Sequence, residues 1–355
     1  MMQYNDIGGF FALEKKADLF SFSEPTGKKS DNVEYTLSGR AAYQLVLEDY
    51  FRMHGHYPKR VFFPDYCCLT MLQPFIEKDI NIFFYKVNYD SKQKLHVGKL
   101  DTSIINSGDM FVFMSYFGFS LGNEDYIESM LCSLIERNVI LIEDITHSYF
   151  RTKHGDILAD YQIASLRKWC AVASGGEARK NNGRFLVIPY KDSNEIVSKQ
   201  WQYMLEKSKN NYLTNQRELY EMNALFNRSL SNFDWRYKID NRSLNFWNQV
   251  DFDNLIKIRR ENAKVIVTNF KDSRFEPMFD YKNMDVPLFL PYKFHGDLSK
   301  LKNKLSRKGV YLPTHWPIHL SGTSNIWENE ISLVCDQRYS VADMKFMIDN
   351  ITNVG

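Results

Sequence analysis

The chain lacks several features that would assign it to a class at once. Its five cysteines, Cys67, Cys68, Cys132, Cys170 and Cys335, are odd in number and contain no CxxC pair. That excludes a simple disulfide framework and fits reduced thiols in a cytoplasm. No stretch approaches the length of a membrane span. The amino terminus, Met1-Met2-Gln3-Tyr4-Asn5-Asp6, has no basic region leading into an apolar core, so a soluble, unprocessed, cytoplasmic protein is expected. Asn241-Arg242-Ser243 is then irrelevant to glycosylation. Charge of one sign is also missing: 45 basic against 43 acidic side chains leave a formal +2. That is too little to imply a nucleic-acid or membrane surface. Short basic runs such as Lys15-Lys16 and Ser306-Arg307-Lys308 read as solvated helix faces. There is no internal repeat and no low-complexity tract.

What is present is an ordinary globular composition, 44% hydrophobic and 25% charged, with 26 Phe and 21 Tyr to fill a core and interfaces rich in rings. At 355 residues the chain exceeds the usual single domain, so one large and one smaller domain are expected. From about residue 36 to 190, apolar runs alternate with helical patterns. Ser38-Gly39-Arg40 opens a helix through Tyr50, and Val61 to Phe63, Ile82 to Tyr85, Met110 to Met114 and Val139 to Ile142 read as strands. Helices are expected from the Cys67 region and near Glu124 to Arg137. Such alternation predicts an α/β fold with a mostly parallel sheet covered on both faces. Residues 191 to 270 are poor in Gly and Pro and read as long helices bridging two domains. Beyond them, Val286 to Leu290 predicts a strand, Leu298 to Lys308 a helix ending at Gly309, and Ser340 to Ile351 a last helix. A small carboxyl-terminal α/β domain completed by the amino-terminal segment follows.

The chemistry begins at a strand end. Val139-Ile140-Leu141-Ile142-Glu143-Asp144 is an apolar run that delivers a carboxylate where open α/β sheets place their ligands. Lys168 arrives on the next strand and turn, in Ser165-Leu166-Arg167-Lys168-Trp169-Cys170-Ala171-Val172-Ala173-Ser174-Gly175-Gly176. An amine that holds an aldehyde as a Schiff base and an acid that keeps a ring nitrogen protonated are the two protein groups pyridoxal 5'-phosphate needs. From the strand pattern alone, Asp144 serves equally well as a helix cap or a surface-cation ligand. His147 is placed to touch the ring hydroxyl, and its claim depends on Asp144. Ser38 and Gly39 at a helix start offer backbone N–H groups to a phosphate, although most such pairs are ordinary helix starts. Ser165 is a further phosphate donor, and Gly175-Gly176 allows a tight turn and close backbone approach. Two alternatives fail on spacing: Ser174 to Lys180 is not a Walker loop, and His54-Gly55-His56 has no partners for zinc, so no metal site is expected.

On these and further motifs the sequence resembles the DegT/StrS nucleotide-sugar aminotransferases, a family of fold type I, aspartate aminotransferase-like enzymes. The markers are Ser38-Gly39-Arg40-Ala41-Ala42, Pro64-Asp65-Tyr66-Cys67, Ser115-Tyr116-Phe117-Gly118, Ile142 to His147 and Lys168 to Gly176. Toward the carboxyl end they are Arg259-Arg260-Glu261-Asn262, Gly309-Val310 followed by His315-Trp316-Pro317, and Asp336-Gln337-Arg338-Tyr339-Ser340. The resemblance covers nearly the whole chain. It implies a three-layer fold with a mostly parallel mixed sheet, divided as a segment 1–35 near the small domain, a cofactor-binding domain 36–240 and a small domain 241–355. It implies Lys168 as Schiff-base lysine, Asp144 as partner of the pyridinium, His147 at the ring hydroxyl, and Ser38, Gly39 and Arg40 at the phosphate. It also implies a homodimer with shared sites, in which Arg242, Ser243 and His315 are substrate or neighbouring-subunit candidates.

Three departures stand out. Ile163 takes the place of the family's phosphate-binding serine, Ser174 that of an acid before the paired glycines, and the residue covering the ring is displaced, with Tyr66 or Cys68 as candidates. The activity implied is transfer of an amino group from an amino acid, glutamate foremost, to a nucleotide-linked keto-sugar, with pyridoxamine phosphate as intermediate and products used in surface polysaccharides or secondary metabolites. A retained lysine speaks against the family's dehydratases. Another lyase or transferase acting on a small amine, or a non-catalytic binding protein of the same fold, are the alternatives.

Overall fold

The computed structural model describes residues 6–13, 31–151, 159–209, 216–316 and 326–354. Lys15-Lys16, Pro317 and most of the 1–35 segment lie outside the described residues. In chain order the elements are β1 (Ile7–Gly8), β2 (Val33–Thr36), α1 (Gly39–His54), β3 (Arg60–Pro64), α2 (Leu69–Ile76) and β4 (Asn81–Tyr85). Next come β5 (Val87–Asp90), β6 (Lys94–Val97), β7 (Met110–Met114), α3 (Glu124–Glu136), β8 (Ile140–Asp144), β9 (Tyr161–Ser165) and β10 (Gly176–Lys180). Then follow α4 (Ser198–Ser208), α5 (Gln216–Ser229), α6 (Asn241–Gln249), α7 (Phe252–Asn269), β11 (Phe275–Pro277) and β12 (Leu290–Phe294). The last are α8 (Leu298–Ser306), β13 (Val310–Tyr311), β14 (Glu330–Leu333) and α9 (Val341–Thr352).

Seven strands form the main sheet in the order β2-β10-β9-β8-β7-β3-β4. β9, β8, β7, β3 and β4 run parallel, while β10 is antiparallel to both β9 and β2. The carboxyl ends of β2, β3, β7, β8 and β9 therefore share one edge. The central strands read as near-continuous apolar runs because both faces are covered. On β8, Tyr43 of α1 reaches Asp144, whereas the neighbouring Glu143 lines a cavity of about 920 Å³ together with α3 residues such as Ile127 and Leu131. Successive strand residues point to opposite faces. The two helices thus cover opposite sides, and the architecture is α/β in three layers.

A smaller three-stranded antiparallel sheet, β11-β12-β14, forms near the carboxyl end. α9 packs on α7 and starts in a capping box between Ser340 and Asp343. The amino-terminal β1 pairs in parallel with β13, joining the ends of the chain. One expected strand is displaced: Val286 to Leu290 is not a strand, and β12 begins at Leu290. Val286 and Leu288 are buried, but Pro287 has no N–H to give a ladder. Their segment is instead held by Leu288 N–H to the Phe117 carbonyl and by Arg259, whose Nη1 donates to the carbonyls of Pro287 and Leu288. The helix expected to reach Lys308 ends at Ser306, so Arg307 and Lys308 lie beyond it, both exposed.

Candidate active site

Asp144 ends β8 with its carboxylate buried at the shared edge. Oδ2 accepts from the Tyr43 hydroxyl at 2.9 Å and Oδ1 from the Thr146 N–H at 2.8 Å. Burial nevertheless raises its pKa, opposed by the Thr146 and Tyr43 hydrogen bonds and by the charge of Lys168. A buried carboxylate of this kind favours a cationic partner.

Lys168 closes a 3-10 turn, Leu166–Lys168, that follows β9. The side chain is open to solvent, yet the protein around it is dense enough that desolvation lowers its pKa, with Arg167 adding to the effect and Cys68 and Asp144 opposing it. The two observations agree if the amine stands in a deep concavity. A lysine whose pKa is depressed supplies more of the neutral amine that attacks a carbonyl. The turn is locked by the next residue. Trp169 donates from Nε1 to the Thr146 carbonyl at 2.7 Å and accepts at its own carbonyl from Gln337 Nε2 at 2.7 Å. Arg259 lies over the Trp169 ring at 4.6 Å and donates to Gln337 Oε1 at 3.0 Å.

The first turn of α1 faces the same turn. Ser38 caps the helix, its Oγ accepting from Ala41 N–H. A Cβ on Gly39 would stand 3.3 Å from Ser165 Cβ, so Ser165 lies against the helix start. A Cβ on Gly176 would meet the Ser38 carbonyl oxygen at 2.0 Å, the close approach the paired glycines allow. Arg40 contributes two buried guanidinium nitrogens, Nε and Nη1, with no hydrogen-bond partner. Its charge interacts with Glu77 and Cys68, and burial lowers its pKa. Buried N–H groups are rarely left unpaired, and a helix start with orphaned guanidinium donors suits a phosphate.

His147 is buried, its Nδ1 accepting from the Phe117 N–H at 3.2 Å. Burial, with the nearby His315 and Lys168, holds its pKa well below the ordinary value, so the ring is neutral and Nε2 carries the proton. The Trp316 ring stacks on it at 5.3 Å, and His315 packs edge-on at 5.9 Å. His315 is tied to β14: its N–H donates to Glu330 Oε2 at 2.6 Å, and its Nδ1 lies 3.2 Å from Ser332 Oγ.

Other positions are spent on structure. Tyr66 is fully buried, stacks on Tyr116 and donates to the His315 carbonyl at 3.0 Å, so its ring has no free face. Cys68 is half-buried, 3.1 Å from Thr70 Oγ1, and is the more open of the two covering candidates. Ser243 is fully buried, and its Oγ accepts from the N–H groups of Ala173 and Ser174 at 3.1 Å each. That leaves it no surface for another subunit. Arg242 is exposed and rests 4.1 Å over the Trp201 ring. Ser174 donates to Asp240 Oδ2 at 2.5 Å, so an acid stands beside this position after all, from α6's cap. Ile163 is a core residue of β9. No role was assigned to Tyr43, Thr146 or Trp316 from the sequence, although Thr146 and Trp316 stand inside the motifs Ile142 to His147 and His315-Trp316-Pro317, and Tyr43 lies one turn beyond Gly39 on α1. Among the described residues, no cluster could hold a metal ion and no helix is long and apolar enough to cross a membrane.

No protein-family model matches this chain, and no curated protein matches it in sequence. Solved structures do. PseC of Helicobacter pylori, an aminotransferase involved in the biosynthesis of pseudoaminic acid, superposes with a TM-score of 0.64 at 12% identity over 99% of both chains. The sugar aminotransferase CalS13 of Micromonospora echinospora gives 0.59 at 13% identity, covering 91% of this chain and 87% of its own. Spr1654 of Streptococcus pneumoniae in its PLP form gives 0.60 at 13% identity, covering 96% and 93%. The chain shares the fold of these proteins over nearly its whole length.

Proposed function

We propose that this chain is a pyridoxal phosphate-dependent aminotransferase that carries an amino group from an amino acid, glutamate foremost, to a nucleotide-linked keto-sugar. The observation that carries the reading is the meeting at one sheet edge of three groups: the Lys168 amine, the buried Asp144 carboxylate and the Arg40 guanidinium, whose Nε and Nη1 have no hydrogen-bond partner. These are an amine for an aldehyde, an anion for a ring nitrogen and a cation for a phosphate. The neighbouring proteins are three aminotransferases, two of them named for sugars and one of those two solved in its PLP form, which supports the same reading.

Bound there, the cofactor would supply an electron sink for carbanion character at the substrate carbon. The protein's part is positional and protonic. Asp144, fixed by Tyr43 and Thr146, holds the ring nitrogen's proton. Neutral His147 offers a proton from Nε2 to the ring hydroxyl while the Phe117 N–H fixes its tautomer. Lys168 would hold the cofactor's aldehyde carbon and, as a free amine, would move a proton to or from the substrate carbon. Ser38, Gly39, Arg40 and Ser165 would hold the phosphate, and Cys68 would stand beside the ring. We read residues 36–240 and 241–355 as the large and small domains and the working unit as a cytoplasmic homodimer, with exposed Arg242 facing the neighbouring subunit or the substrate.

The test is isotopic transfer. With ¹⁵N-glutamate and nucleotide-linked keto-hexoses, the account expects ¹⁵N in the sugar product of wild type and at least about 10³-fold less with Lys168→Ala, since both covalent and proton-transfer roles are removed. Label that remains in glutamate while the cofactor binds would move the assignment to another reaction on a small amine.

A further inference from the structure

Beside Lys168 stands a second cation that the proposed chemistry does not use. Arg167 is partly reachable by solvent. Its Nη2 donates to Asn227 Oδ1 at 2.8 Å, and its guanidinium lies 5.3 Å from the centre of the Phe226 ring. An amide and an aromatic face orient it, but neither neutralises it. Among the described residues no carboxylate pairs with it, whereas Lys180 lies 2.8 Å from Asp49 and Arg60 2.5 Å from Asp109. Desolvation alone lowers its pKa to about 10. A desolvated, unpaired charge is costly to keep. Its charge is also one of those that lower the Lys168 pKa, so an anion held on Arg167 would act on that amine.

We propose that Arg167 is the anchor for a carboxylate of the amino-acid donor. This rests on the aminotransferase reading for the identity of the donor, while the anion site stands on Arg167's own surroundings. Arg40 already answers the phosphate at the start of α1, which leaves Arg167 for a second anion. The guanidinium fork matches a carboxylate in two parallel hydrogen bonds. Asn227 is itself tied down, its Nδ2 donating to the Asn223 carbonyl at 2.8 Å on α5. The fork is therefore held ready rather than free to swing.

The experiment titrates glutarate, a dicarboxylate without an amine, into the cofactor-free protein by calorimetry, with pyrophosphate as a second probe. Wild type should bind glutarate, Arg167→Gln should bind it roughly 10- to 100-fold more weakly, and Arg167→Lys should fall between. Asn227→Asp, which sets a carboxylate beside the fork without removing it, should weaken glutarate similarly and serves if the arginine variant fails to fold. Unchanged glutarate affinity in these variants, or none in wild type, overturns the proposal. Loss of pyrophosphate binding alone overturns it too, in favour of a site for the nucleotide diphosphate. Lys168-dependent absorption of added pyridoxal phosphate, recorded on the same samples, tests the aminotransferase reading separately: either result can fail while the other holds.

Discussion

At the scale of single residues, Asp144 is the position where stability and function oppose each other. Its carboxylate is buried, and its pKa is raised mainly by that burial. Raised means that the folded state resists the charged form, so above the ordinary carboxylate pKa the group costs stability, and the cost disappears as pH falls through the folded value. Asp144→Asn keeps the geometry, because an amide oxygen still accepts from Thr146 N–H and its NH₂ can donate to the Tyr43 oxygen. We expect this variant to raise the melting temperature of the cofactor-free protein by a few degrees at pH 7, equivalent to about 1 kcal/mol, with the gain shrinking toward pH 4. The same variant should bind pyridoxal phosphate more weakly, since the anion that favours a protonated ring nitrogen is gone. Differential scanning calorimetry across pH checks both arms.

His147 carries the opposite sign. Its pKa is held well below the ordinary value by burial and by the nearby His315 and Lys168, so the unfolded chain takes up a proton near pH 6.5 that the folded chain refuses. The stability this neutral ring allows is complete above pH 6.5 and falls below it by about 1.4 kcal/mol per pH unit until the folded pKa is reached. His147→Gln keeps a neutral hydrogen-bonding side chain and should flatten this acid limb between pH 6.5 and 5. An unchanged slope in denaturant unfolding would show that other groups set it.

At the scale of elements, the largest difference between pattern and structure lies at residues 286–290. The apolar run was legible as buried but not as a loop, because strand periodicity reports burial and not hydrogen-bond partners. The partners come from 28 and 29 residues upstream, where Arg259 on α7 caps two carbonyls of the loop, reaches Gln337 and covers Trp169. This one guanidinium ties the smaller carboxyl-terminal elements to the turn that carries Lys168. Arg259→Ala should therefore destabilise by about 3 kcal/mol or more, since it leaves buried carbonyls unpaired and opens a cavity. It should also slow the reaction of Lys168 with added aldehyde. A variant with full thermal stability and unaltered lysine reactivity would separate the two elements.

Local signals elsewhere served well. Ser38 as cap, the apolar runs of β3, β7 and β8 and the capping box of α9 all follow from rules that act within a few residues. The strands β13 and β14, and β10 where it meets β2, pair across long separations, and nothing in their short sequences announces a partner. The same limit applies at the site. Asp144 and Lys168 were legible because each ends or follows an apolar strand. Tyr43, Trp316 and the counter-ion-free state of Arg167 depend on where α1, α5 and the segment after β13 come to rest.

For the molecule as a whole, the seven-stranded sheet gathers its chemistry at the carboxyl edge, and the fold it shares with PseC, CalS13 and Spr1654 survives at 12–13% identity. Burial and hydrogen-bond pairing preserve a fold through far more substitution than they preserve a specificity, so the site has to be judged on its own side chains. Here they include Ile163 and Ser174 where the resemblance leads one to expect a serine and an acid, and an acid supplied from Asp240 instead of the turn itself. The central claim is that these side chains still form a working cofactor site on Lys168. Its most direct test is the visible absorption of the purified protein and of Lys168→Ala with added pyridoxal phosphate, before and after excess glutamate. The account predicts a band near the violet that wild type shows, that glutamate bleaches, and that Lys168→Ala lacks. A wild-type spectrum identical to that of Lys168→Ala would contradict it and leave the fold without this chemistry.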